Sequence, residues 1–227
     1  MSVLDTIKRS LIMFFLGLPL ILISIVFFLG FGLGNAGLLF LSAGQMILVP
    51  IAVFMCHLIP DLLVWLSNGK LYKIFDVPYS DIGQLVPSIP VSAFTTEINV
   101  WPSYWMAHFT FFCSYLLVNA NAVYKLPPIS DSPDYESKVQ ARKSRATVIM
   151  IFIVAIFLAL SLIRLRYTHT EHIFGALFAT VIFGLLGWGW FEASNSLGIR
   201  TMDIFGVVQQ MLVTQDPSMP TTCVSTN

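Results

Sequence analysis

Charge is what this chain has least of. From Ser10 to Pro60, 51 residues pass without one Asp, Glu, Lys or Arg, and over the whole 227 residues charged side chains make up 11%. Soluble domains carry roughly 25%, so the missing charge excludes a water-covered surface of ordinary composition. A net charge of zero gives no surplus of cations for a nucleic-acid phosphate backbone, and nucleic acid is excluded as a partner. Cysteine is scarce too. Cys56 and Cys113 stand in apolar runs and Cys223 in a polar tail, an odd and scattered set that reads as free thiols rather than a disulfide framework. There is no Asn-x-Ser/Thr glycosylation acceptor, and no small-residue cleavage site follows Lys8 and Arg9, so the apolar start reads as a signal anchor.

What is abundant is apolar: 56% of the residues. A span takes roughly 20 apolar residues, so the run from Ser10 to Pro60 must cross a bilayer at least twice. Ile98 to Tyr124, Ala146 to Ile163 and Ile173 to Phe191 each supply one more crossing. The fold class is therefore an all-α, polytopic transmembrane helix bundle. Residues 11 to 66 hold two long helices or three short ones, with Gly30-x-Gly32-x-Gly34-Asn35 and Pro50 as candidate breaks. With three, Lys8, Arg9, the five cations from Lys125 to Arg145 and Arg200 share one side against Lys70, Lys73, Arg164 and Arg166; with two, the cations divide evenly. Positive charge collects on cytoplasmic loops, which favours six spans over five and puts both termini in the cytoplasm. Trp65, Trp101, Trp105, Trp188 and Trp190 fall at the ends of the apolar runs, where indoles prefer the interface.

Residues 1–213 form one membrane domain, and 214–227, rich in Ser, Thr and Pro, a disordered tail. The 67–97 stretch, with Pro78, Pro87 and Pro90, reads as a non-cytoplasmic loop. Ser137 to Arg145 is a basic run before the next span; it serves as an orientation signal first and a contact for anionic lipid heads second.

Ionisable groups at membrane depth face a protein interior or a water-filled path, so the four histidines are informative. His57 and Asp61 share a helical face and read as an ion path or, more simply, as groups at a helix end. Between the last two spans lies Arg164-Leu-Arg166-Tyr-Thr-His169-Thr-Glu-His172, a set able to hold an anion through Arg and to attack or accept a proton through His. Trp101-Pro102-Ser103-Tyr104-Trp105 opens the span whose start faces the same side, where a helix N-terminus favours an anion.

This order resembles the type-2 phosphatidic acid phosphatase superfamily, six-helix lipid phosphate phosphatases with three motifs: Lys-x6-Arg-Pro, Pro-Ser-Gly-His, and Ser-Arg-x5-His-x3-Asp. Pro102-Ser103 stands where the second begins, and Arg166-x5-His172 has the spacing of the third. The resemblance covers roughly Pro102 to Trp190. It implies His172 as nucleophile, Ser103 and Arg166 as phosphate ligands with Arg164 and His169 beside them, and His108, one turn below Ser103, in place of the missing acid. Lys-x6-Arg-Pro is absent, Tyr104-Trp105 replaces Gly-His, and Ala176 stands where the orienting carboxylate belongs. The resemblance therefore implies weak or absent hydrolysis of a lipid phosphate, with membrane lipids as partners and no metal or cofactor. The other reading is a non-catalytic scaffold, in which Gly30-x3-Gly34 and Gly175-x3-Ala179 permit close helix contact. Transport past His57, Asp61 and His108 is a third.

Overall fold

The computed structural model describes residues 10–11, 14–15, 17–66, 102–126, 133–167, 173–198 and 204–205, and every regular element among them is helical. Helix α1 (Leu18–Gly32) begins with Pro19 in its first turn, where a missing N–H costs nothing. It ends at a turn that needs Gly34, whose φ of 61° is open to glycine and strained for other residues. Asn35 then caps α2 (Ala36–Ala43) by accepting the Leu38 N–H at 3.1 Å. The two helices fold back tightly because Gly30 has no side chain: a Cβ there would come within 2.9 Å of the Leu39 nitrogen. Of the anticipated Gly30/Gly34 packing pair, Gly30 makes the contact and Gly34 makes the turn.

The expected break at Pro50 does not occur. Helix α2 passes through a π turn, π1 (Gly44–Leu48), into α3 (Val49–Leu66), with the Val49 N–H reaching back to Gly44 O. Proline lacks the N–H for the ordinary backbone bond and crowds the carbonyl four residues earlier. A wider π turn just upstream relieves that crowding, so the rod bends its hydrogen-bond pattern instead of ending. Residues 18–66 are thus two arms, not three.

Helix α4 (Tyr104–Lys125) is the hub, packed chiefly on α5 (Pro133–Tyr167) and α6 (Ile173–Ser196) and also on α1, π1 and α3. Trp105 Nε1 donates to Phe15 O at 2.9 Å, so the chain entering α1 lies at the start of α4. Arg164, near the end of α5, reaches the same place. The rod α2–π1–α3 runs antiparallel to α4, since Gly37 accepts from the Tyr115 hydroxyl and Gln45 meets His108. Five rods are described, and the start of α1 and the end of α6 lie at opposite ends of the bundle.

Three helical stretches are long and apolar enough to cross a membrane: Ala36–Cys56, Glu136–Leu165 and Gly175–Ser196. Helix α4 has the length, 22 residues, but it carries His108, Thr110, Ser114 and Asn119 in a position the other helices cover. Large apolar side chains point outward instead: Phe28 and Phe31 on α1 are 70% and 75% exposed. An inside-out distribution of this kind suits hydrocarbon as the solvent, where helices associate by close packing rather than by leaving water. The α4–α6 seam shows how. Ser114 Oγ donates to Gly184 O at 2.6 Å, and a Cβ on Gly187 would lie 2.7 Å from Phe111 O.

Candidate functional site

Ser103 precedes α4 in an extended conformation, and its Oγ accepts the Met106 N–H at 3.2 Å. Its first duty is that of an N-cap. Buried Pro102 and Ser103 hold the backbone at the helix's positive end. Trp105, 5% exposed, is clamped between elements. Its indole N–H holds Phe15, its ring lies 5.0 Å from that of Phe15 and 4.9 Å from that of Phe109, and the Arg164 Cζ sits 5.6 Å from it. That is a cation–π distance.

Of the polar stretch before Ile173, the side chain of Arg164 is described, and it meets Trp105. Arg164, buried despite its charge, lies where the negative end of α5 and the positive start of α4 meet. The guanidinium is favoured by the first and disfavoured by the second. Ile173 begins α6 six positions after α5 ends at Tyr167, and His169 and His172 fall in the intervening stretch of sequence. Those two residues lie outside the described set, as does the side chain of Arg166. The side chains of His57 and Asp61, the 67–97 loop and the 214–227 tail are outside it as well.

His108 sits one turn below, 1% exposed. Gln45, from the π turn, donates its Nε2 to His108 O at 3.0 Å and presents Oε1 to His108 Nδ1 at 2.5 Å. A carbonyl can only accept, so the amide orientation is set, Oε1 is the acceptor and Nδ1 must carry the proton. Nε2 of the neutral ring is then an unprotonated nitrogen, and it is buried with no hydrogen-bond partner. The Tyr104 ring covers it from 4.2 Å between centroids. His108 is in this state a buried acceptor; donation of a proton to a leaving group would first require it to be charged and exposed.

Two of the tryptophans assigned to the interface are internal braces. Trp105 is one; Trp190 is the other, stacked on Phe40 at 4.4 Å and donating Nε1 to Phe40 O at 2.8 Å. Trp188, 51% exposed, does face outward. Gln45 was missed by sequence reasoning, although an amide inside the 51-residue uncharged run was a signal that it needed a buried partner. Among the described residues no three His, Cys, Asp or Glu gather as a metal site. No protein-family model, no curated protein and no solved structure matches the chain.

Proposed function

We propose that the chain is a multi-spanning membrane protein that holds a lipid phosphate headgroup at the start of α4, with the arrangement of the phosphatidic acid phosphatase superfamily and with little or no hydrolysis. The observation that carries this reading is Arg164 beside Trp105 at the capped N-terminus of α4. A buried cation beside a helix N-terminus supports an anion-binding end of the bundle. Hydrolysis lacks support from Ser103, committed to its cap, and from His108, turned to Gln45.

For the finer topology we favour five crossings, a reading supported by the five described rods. Five crossings place the start of α1 and the end of α6 on opposite sides and leave Lys and Arg evenly divided, so orientation rests on something other than the cation count. Six would need a further crossing from residues outside the described set.

A non-catalytic scaffold is the second reading, favoured by the tight seams at Gly44 and Gly187. Reconstituted protein offered phosphatidic acid and a soluble phosphomonoester separates the two. Binding of the lipid phosphate that weakens at least tenfold in Arg164→Ala or Arg166→Ala, with slow or no phosphate release, supports the proposal. Binding indifferent to both substitutions leaves the scaffold. Phosphate release that survives both Arg166→Ala and His172→Ala removes any catalytic role from this end.

A further inference from the structure

At the other end of the bundle, the corner where α4 gives way to α5 brings Lys125, Arg142 and Lys143 together. Lys125 is the last residue of α4 and exposed. Arg142 folds back from α5 and donates from Nη2 to Leu126 O, capping α4 where its carbonyls concentrate negative charge. Its side chain is 8% exposed, and its Nε is buried with no hydrogen-bond partner. Lys143 lies half-buried with Nζ 5.7 Å from the centre of the Tyr124 ring. Lys138 and Arg145 extend the basic character of the same stretch, and Glu136 is the described acid nearest in sequence, exposed on the solvent side of the run.

Depth selects the ligand. The apolar part of α5 begins at Ala146, one turn past Arg142, so these cations stand at headgroup level, where phosphate is the commonest anion. Arg supplies a planar fork for phosphate oxygens and Lys a point charge. An orphaned donor on a buried guanidinium is costly, and a phosphate oxygen drawn in beside Arg142 satisfies it.

We propose that Lys125, Arg142 and Lys143 form a site for the phosphate headgroup of an anionic membrane lipid, in the leaflet opposite the Arg164 end and independent of it. Tyr124 supports Lys143, and Leu126 O holds the guanidinium in place. The site is a built one rather than a diffuse basic surface, because Arg142 is oriented by its own hydrogen bond before any lipid arrives.

The test uses the full chain in phosphatidylcholine vesicles, with spin-labelled phosphatidic acid and spin-labelled phosphatidylcholine as probes of lipid held at the protein. The chain carrying Arg164→Ala, which removes the site proposed at the opposite end, still prefers the phosphatidic acid probe and is the parent of the variants that follow. In Lys125→Gln/Lys143→Gln that preference falls about fivefold or more, since one cation at a membrane surface contributes about fivefold. Arg142→Lys keeps the charge and loses the Nε donor, and the preference falls at least twofold. Should Arg142→Lys not fold, Lys143→Gln alone serves, because its Nζ contact is with a ring face only. An unchanged preference in the Lys125/Lys143 variant overturns the site. Arg142→Lys that folds and binds as the parent reduces it to bulk charge and also overturns it. Inorganic phosphate that displaces the lipid probe at matched concentration identifies the free anion as ligand and overturns the lipid assignment.

Discussion

Gln45 and His108 hold each other twice across the bundle: the amide N–H of Gln45 reaches the His108 backbone carbonyl at 3.0 Å, and its oxygen meets the His108 ring nitrogen Nδ1 at 2.5 Å. Both side chains are buried, at 2% and 1% exposure. The pair ties the π turn of one rod to the first turns of α4, and so sets the depth at which the two rods meet.

Removing one partner is worse than removing both. Gln45→Leu leaves the His108 Nδ1 donor without an acceptor, at a cost of about 1–3 kcal/mol; His108→Leu orphans the Gln45 oxygen similarly. The double variant loses less than the sum of the two. A double-mutant cycle of thermal unfolding in detergent checks the coupling, and additive losses would show that the two side chains do not interact.

Gly44 abuts the same turn. A Cβ there would lie 2.5 Å from Trp190 Nε1 and 2.7 Å from Phe111 Cζ, whereas Gly189 has nothing within 4 Å. Gly44→Ala is expected to destabilise by about 1–3 kcal/mol through overpacking, and Gly189→Ala to be neutral or stabilising by up to ~1 kcal/mol through helix propensity. Melting temperatures of the two proteins, measured side by side, test the contrast.

Ser103 separates capping from ligand binding. Ser103→Ala removes the acceptor for the Met106 N–H and is expected to cost about 0.5–2 kcal/mol. Ser103→Asp keeps an acceptor and places a negative charge at the positive end of α4, so stability is retained. That same charge repels a phosphate, and phosphatidic acid binding at this end should drop at least tenfold. Equal lipid binding by Ser103→Asp and the unmodified protein would remove the anion from the start of α4.

Topology is checked from outside sealed vesicles. In a chain freed of Cys56, Cys113 and Cys223, single cysteines at Gly17 and at Asn195 should react with an impermeant maleimide from opposite sides, because five rods separate them. Labelling of both from one side would require another crossing.

Much of the fold was legible in the chain. An uncharged run longer than two spans can only be membrane helix, and the glycines before Asn35 mark the turn because a positive φ at Gly34 has few other occupants. Pro50 misled, since proline breaks a helix only when nothing upstream widens to accommodate it. Composition likewise could not tell that Trp105 and Trp190 turn inward: an indole prefers a helix end for the same reason whether its N–H meets headgroup water or the carbonyls of Phe15 and Phe40.

The amino-acid sequence by itself determined the solvent and the element type, because lipid admits a chain this poor in charge and helices satisfy their own backbone groups there. It also placed Arg164 and Ser103 among the polar residues to watch. Only the tertiary structure decided that α4 is the enclosed hub, that Arg164 meets it through Trp105, and that His108 spends its N–H on Gln45. Those outcomes depend on which helix faces meet and at what depth. Such contacts join residues 59 and 63 positions apart, a separation across which hydropathy carries no information.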